Sequence, residues 1–238
     1  IANIGACLSL TDHVITTNTY IADRVKDFAD LPVSVVPNFM NNEQIEASNT
    51  VWESRTTRKT AGLRLGYFSG SHSHAKDFAV AEKGVVDFLK GSPSSTLTVL
   101  GHLQLTPALS EVESQIRTRP FMNFIELQSA VADVDVALSP LQSSPFTFSK
   151  SELKFFESAA VGTLTLASPT PVFRGAFEHG VSGFLSGSSQ WGQRLSEIEA
   201  LPPEKRSDIV STARTVALTR HTGAAQVPVL EELFGARK

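Results

Sequence analysis

Short β-rich runs alternate with amphipathic ones along most of the chain. "HVITTN" (His13 to Asn18) predicts a strand, "TYIADRVKDFA" (Thr19 to Ala29) a helix, and "VSVVPN" (Val33 to Asn38) a short strand ended by Pro37. From about Asn41 to Ala61 the chain turns polar, with four threonines between Thr50 and Thr60, and reads as a connector with one turn of helix around Trp52. A second series opens with the buried strand "LRLGYF" (Leu63 to Phe68) and the loop "SGSHSHAK". The helix "DFAVAEKGVVDFLKG" follows, with Phe78, Val85, Phe88 and Leu89 at helical spacing and Gly91 as its stop. Then come the strand "TLTVLG" (Thr96 to Gly101), a helix near Pro107 to Ile116, a short strand around Phe121 to Ile125, the helix "ELQSAVAD" and the strand "VDVALSP". The helix "SKSELKFFESAAVG" (Ser149 to Gly162), the strand "TLTLAS" (Thr163 to Ser168) and a helix from Pro171 close the alternation. After "SGFLSG", the region from Gln190 reads as helices broken at Pro202–Pro203 and Gly223. Strands alternating with helices in this way predict an α/β fold with a doubly wound parallel sheet. Ligands of such sheets bind beyond the C-terminal strand ends, so each strand-to-helix loop is a candidate site.

Composition narrows the partners. Of 238 residues, 41% are hydrophobic and 19% charged, a globular rather than a disordered composition. A formal net charge of -3 gives no bulk attraction to nucleic acid or to a membrane, so any anion site is local. Cys7 is the only cysteine, which excludes an internal disulfide and fits a reducing compartment. The chain opens "IANIGACLSL" without a methionine, and reads as part of a longer protein.

Two loops carry candidate chemistry. Ser149 followed by Glu152 matches the S-x-x-E capping box, which predicts a helix starting at Ser149. At 100° per residue, Lys150, Lys154 and Glu157 then lie within about 60° of one another. Leu153, Phe155, Phe156, Ala159 and Ala160 fill the remaining arc. Lysines in the first turns oppose the helix dipole, and make sense where a phosphate sits against that end. The plain alternative is a solvated face with a Lys154–Glu157 pair. The second loop is Tyr67 to Phe78, "YFSGSHSHAKDF", in which Gly70 and the serines let backbone N–H groups approach a ligand. Lys76 and two histidines add hydrogen-bonding or positive character. The plain alternative is a polar strand–helix turn whose Asp77 satisfies the helix start.

Residues Leu63 to Leu185 resemble the C-terminal, donor-binding domain of GT-B glycosyltransferases, in particular the retaining group called family 4. "HVITTNTYIADRVKDF…VSVVPN" looks like the end of the N-terminal domain and the run into the linker. "LRLGYFSGSHSHAKDF" looks like the first strand, glycine loop and helix of the second domain, and "LTVLGHL" like its second strand. "KFFESAAVGTLTLASPTPVFRGAFEHGVSGFL" is similar to the E-a-x-a-x-G block and the turn after it. The resemblance implies three segments: 1–45 as the end of an N-terminal domain, 46–61 as a connector, and 62–238 as a nucleotide-sugar-binding domain with C-terminal helices. The sheet would be the Rossmann-like half of a GT-B fold. It also implies roles. Glu157 matches the second glutamate of E-x7-E, which binds the ribose. Ser69, Gly70, Ser71, His74, Lys76, Ser149, Lys150 and Lys154 fall on donor- or phosphate-binding positions, and the resemblance leaves the catalytic residues unassigned.

Two departures stand out. The first glutamate of E-x7-E falls on Ser149, so donor-sugar recognition differs or activity is lost. The proline of G-x-P is Leu164. The implied activity is transfer of a sugar from a nucleotide diphosphate-sugar to a glycan or lipid-linked acceptor. It needs a missing N-terminal domain, no cofactor, no metal and no nucleic acid. A non-catalytic nucleotide-binding or scaffold domain, and a nucleotide-sugar 2-epimerase of the same fold, are the alternatives. The implied place is the cytoplasm, with the inner membrane face as a peripheral option. Other motifs weigh less. "DVD" (Asp133 to Asp135) straddles a helix end and a strand start. His72 and His74 lack a nearby third ligand. His179 reads as a helix C-terminal cap, and Ser168 lacks a nucleophile elbow.

Overall fold

The structure, a computed structural model, describes residues 2–55, 61–69, 75–101 and 103–235. A small unit comes first: α1 (Ala2–Leu8), β1 (Val14–Thr16), α2 (Thr19–Phe28) and β2 (Val33–Val35), with β1 and β2 parallel. Asn18 starts α2 by accepting from the Ile21 N–H. Next is α3 (Asn42–Ser54), capped by Asn41. The polar connector is thus a helix of 13 residues, not a single turn. Its buried positions, Gln44 and Ser48, are polar, and the Ser48 hydroxyl donates to the buried Gln128 amide. A helix that buries a polar stripe shows no apolar period.

The main sheet has six strands, all parallel: β3 (Arg64–Ser69), β4 (Thr96–Gly101), β5 (Ile116–Arg119), β6 (Val136–Ser139), β7 (Leu164–Ala167) and β8 (Phe184–Leu185). Their order across the sheet is β5-β4-β3-β6-β7-β8. The direction of winding therefore reverses between β3 and β6, the doubly wound arrangement with its switch point in the centre. The strand expected at Phe121 to Ile125 lies earlier, at Ile116–Arg119. Its sequence "IRTR" is mostly exposed, as suits a charged edge strand. Phe124 instead opens α6 (Phe124–Ala132), because Asn123 and Glu126 form a capping box there.

Helices cover both faces. On one face α4 (Ala75–Gly91) and α10 (Trp191–Glu199) bury Phe78, Val85, Leu89, Trp191 and Leu195 against the sheet. On the other, α8 (Leu153–Ala160) packs Phe155, Phe156, Ala159 and Ala160 against α9 (Pro171–Ala176) and α11 (Pro203–Arg220). Phe155 and Phe156 are buried, and removing either ring costs about 3 kcal/mol or more. The short helices α5 (Pro107–Ser110) and α7 (Pro145–Phe148) and the terminal α12 (Gly223–Gly235) complete the chain. Gly162, just past α8, has φ +77, and a Cβ there would lie 2.4 Å from both Arg55 Nη1 and the Trp52 ring. Only glycine closes that helix so tightly.

Candidate functional site

The crevice at the switch point lies where β3 ends at Ser69 and β6 ends at Ser139. Ser69 pairs with Gly101 of β4, whose φ is +91 and whose Cβ, if present, would lie 1.9 Å from the Ser69 carbonyl oxygen. Glycine at 101 is thus what lets β3 run to its full length here. Beyond these ends, α4 enters from one side and α7 and α8 from the other.

Charged groups converge on the crevice. Lys150 Nζ donates to Asp77 Oδ2 at 2.7 Å. Asp77 is buried, and its Oδ1 accepts from the Gln142 N–H at 3.2 Å. Gln142 Nε2 in turn donates to the Lys76 carbonyl at 2.9 Å. The first turn of α4 is thereby fastened to the loop after β6. Lys154 projects inward from α8, with its ammonium 5.3 Å from the Tyr67 ring centroid. That ammonium is sealed from water and donates no hydrogen bond among the described residues. Burial, with Lys150 nearby, pushes its pKa down to about 8, against the attraction of Asp77 and Glu157. One turn on, burial pushes Glu157 up to about 7, despite a hydrogen bond from Gln44 Nε2 at 3.5 Å and the nearby Lys154. A buried cation without a partner is expensive. A buried, poorly compensated cation in a cleft marks a candidate functional site.

Helix α8 opens without a side-chain cap, so the N–H groups of its first turn are not satisfied by a capping side chain. Two lysines and an uncapped helix start make a compact anion-binding geometry. No protein-family model and no curated protein matches the sequence. Solved structures do match in shape. A TarM variant from S. aureus, in complex with UDP among other ligands, aligns at TM-score 0.72 and 11% identity, over 96% of this chain and 45% of that one. HepE from Anabaena, in complex with UDP, aligns at TM-score 0.74 and 15% identity, over 95% and 64%. WaaG, a glycosyltransferase of lipopolysaccharide biosynthesis, aligns at TM-score 0.69 and 13% identity, over 95% and 63%. The chain shares its fold with GT-B glycosyltransferases. It spans 45% to 64% of the length of these three.

Several expected site residues fall in this crevice of the GT-B-like sheet. Ser69 ends β3 and is buried, with a hydrogen bond to the Tyr67 side chain. Lys150, Lys154 and Glu157 come together as described. Lys76 is exposed on the first turn of α4. Gly70, Ser71, His72 and His74 lie outside the described residues. The start of the lysine-bearing helix needs correction. Ser149 is not its N-cap but the C-cap of α7, and its hydroxyl donates to the Pro145 carbonyl at 2.9 Å. Glu152 takes the N-cap place and makes no side-chain cap bond. The capping box of this segment is Ser144 with Thr147, because Pro145 favours the first position of a helix. Lys150 therefore precedes α8 rather than riding on it, and reaches Asp77 from the loop.

Asp77, Gln142 and Gln44 were not singled out as site residues in the sequence. No local pattern marks them, since each partner is distant in the chain. The motifs given less weight have structural places. Asp135 pairs with Arg64 at 2.7 Å, and Asp133 with Arg119 at 3.2 Å, both away from the crevice. Ser168 Oγ accepts from the Leu141 N–H. His179 does not cap α9; its Nδ1 accepts from the Leu185 N–H at 2.9 Å and closes the turn before β8. Among the described residues there is no cluster of three or more His, Cys, Asp or Glu side chains that could hold a metal. No described helix is long and apolar enough to cross a membrane.

Proposed function

We propose that this chain is the nucleotide-sugar-binding part of a glycosyltransferase. The observation that carries the reading is the buried Lys154 ammonium, which has no hydrogen-bond partner among the described residues and sits near Lys150. A diphosphate supplies the missing charge. In the proposed complex, Lys150 and Lys154 face the diphosphate, with the first N–H groups of α8 behind them. Gly70, Ser71, His74 and Lys76 belong to the same proposal as further phosphate contacts. Glu157 accepts from the ribose hydroxyls. As the sugar departs, negative charge builds on the diphosphate, and a preorganised cationic site lowers that barrier. The reading includes no metal: Lys154 supplies one positive charge, and Lys150 a second that Asp77 holds in the ligand-free chain. The acceptor, a glycan or a lipid-linked sugar, and a preceding domain of the same protein belong to the same proposal, as does a cytoplasmic location. Its support is the shared fold and the fraction of each matched structure that the chain spans.

Calorimetric titration with UDP, GDP, ADP and dTDP tests it, beside Lys154→Met and Glu157→Ala variants. One diphosphate should bind the parent chain, with affinity lost in Lys154→Met and reduced in Glu157→Ala. Equal affinity in all three proteins would sink the assignment. One observation favours a second reading, a binding domain without catalysis. Ser149 stands where a sugar-contacting carboxylate is expected, and its hydroxyl is spent on the Pro145 carbonyl. That reading keeps diphosphate binding but predicts no sugar transfer even with a complete partner domain. A rate of transfer above background would exclude it.

A further inference from the structure

The lysine crevice receives a contact from outside its own sheet. Lys150 lies between α7 and α8 and belongs to neither, so no helical ladder fixes its place. Three contacts fix it instead. Its N–H donates to the Thr147 carbonyl at 3.2 Å, its ammonium donates to Asp77, and its own carbonyl accepts from Asn18 Nδ2 at 3.2 Å. Asn18 belongs to the small N-terminal unit, 132 residues away in sequence.

Asn18 already has a task as the N-cap of α2. Its Oδ1 accepts from the Ile21 N–H at 2.9 Å, which leaves Nδ2 for Lys150. The two partners fix the orientation of the amide, since an N–H meets only its oxygen and a carbonyl only its nitrogen. Capping alone does not call for asparagine, because aspartate and serine cap equally well. Among these residues only asparagine carries an acceptor and a donor on separate atoms, so it can cap a helix and hold a second segment at once. The turn that carries it is itself held. Thr16 Oγ1 donates to the Asn18 carbonyl at 3.2 Å, and Tyr20 packs edge-on against Phe148 of α7 with ring centroids 5.5 Å apart. Asn18 is buried in this contact.

We infer that Asn18 is a positioning residue for the anion crevice: its amide holds the Lys150 backbone and so sets where the Lys150 ammonium stands. A lysine side chain has many rotamers, and a fixed backbone narrows the places its ammonium reaches. Asn18 acts through Lys150 and not on a ligand. By linkage, whatever shifts the β1–α2 turn shifts the anion affinity of the crevice, and a bound anion steadies that turn. The inference rests on the reading that the crevice takes a nucleotide diphosphate, and its test separates the two.

Asn18→Ser keeps a capping oxygen and removes the amide donor. Asn18→Asp, which keeps the shape as well, takes its place should the serine variant not fold. Calorimetry with UDP compares the parent chain, Asn18→Ser, Lys150→Met and the double variant. Asn18→Ser should weaken UDP binding roughly threefold to tenfold, the size of one hydrogen bond. In the Lys150→Met background the same change should have no effect, because the group it positions is gone. A merely structural role would weaken both backgrounds alike. That result overturns the inference, as does an unchanged affinity in Asn18→Ser. Acetylation by acetic anhydride, read residue by residue in a mass spectrometer, forms a second arm that needs no nucleotide. The Lys150 side chain is 22% exposed and that of Lys83 is 89% exposed, so Lys83 serves as the reference. Asn18→Ser should quicken acetylation of Lys150 relative to Lys83 by roughly threefold, again the size of one hydrogen bond. An unchanged ratio overturns the inference. Should UDP fail to bind the parent chain, the nucleotide reading falls separately, and the acetylation arm alone decides whether Asn18 positions Lys150.

Discussion

At the N-terminal edge of the sheet, Arg64 grips Asp135 through Nε and Nη2, at 3.1 and 2.7 Å, while the Arg64 N–H also donates to the same carboxylate. Arg55 Nη1 donates to the Val161 carbonyl. At the C-terminal edge, Lys154 has no such partner among the described residues and Glu157 only a long one. Lys150 there is paired with Asp77, as Arg64 is with Asp135 at the other edge, but Lys154 and Glu157 are left with weaker contacts. Burial alone would push the Asp135 carboxyl up, but the Arg64 bonds hold it below its ordinary value. Burial of Lys154 and Glu157 is only partly offset by their neighbours, and both are displaced toward their neutral forms. One edge is finished by folding, and the other leaves two buried ionisable groups short of partners among the described residues.

The largest effect comes from breaking the finished edge. Asp135→Ala strips a half-buried guanidinium and a backbone N–H of their partner, and should destabilise the chain by about 3 kcal/mol. Denaturant unfolding measures this. Nucleotide affinity, extrapolated to the folded fraction, should be unchanged, because the ligand edge is untouched. A parallel loss of affinity would mean that the two edges are not independent.

The reverse change belongs to the other edge. Lys154→Met removes a buried charge with no partner while keeping much of its volume, and should stabilise the ligand-free chain by on the order of 2 kcal/mol. The same variant should lose diphosphate binding. A gain in stability with a loss of binding is the mark of a site that stores destabilisation for its ligand. Destabilisation by Lys154→Met would show that the ammonium is satisfied in solution.

These two edges also differ in how far the sequence revealed them. The switch point was legible because "LRLGYF", "TLTVLG", "VDVALSP" and "TLTLAS" are buried strands with no competing pattern. Two elements were hidden for opposite reasons. The edge strand "IRTR" is too charged to look like a strand, and α3 buries Gln44 and Ser48 where an apolar stripe would have shown. At the site, Lys154 and Glu157 were readable from their spacing on one helix. The Asp77–Lys150 pair joins residues 73 apart in sequence, so only the folded sheet brings them together. The S-x-x-E match at Ser149 misled because Ser144–Pro145 supplies an earlier helix start, which a local motif cannot rank.

A pH titration of stability sharpens the contrast at smaller cost. Between 4.5 and about 7 the folded chain keeps the Glu157 proton that the unfolded chain has lost, so stability should fall as pH rises. Between about 8 and 10.5 the unfolded chain holds the Lys154 proton that the folded chain has lost, so stability should rise. The ligand-free chain should therefore show a shallow minimum near neutrality, and the upper limb should flatten in Lys154→Met. Diphosphate binding should run the other way. It needs Glu157 charged and Lys154 protonated, and so should peak between about 7 and 8.

The smallest effect isolates Gln44. Its amide is buried on α3, and Nε2 lies 3.5 Å from Glu157 Oε1, at the outer limit of a hydrogen bond. Such a bond stabilises the carboxylate by about 0.5 kcal/mol, or a few tenths of a pKa unit. Gln44→Leu should move the acid limb of nucleotide binding to higher pH by that amount and leave its alkaline limb in place, since Lys154 is not in contact with Gln44. A variant that merely loosened α3 would lower affinity equally at every pH. The displacement of one limb is therefore what separates a residue that tunes the Glu157 carboxylate from one that only packs beside it.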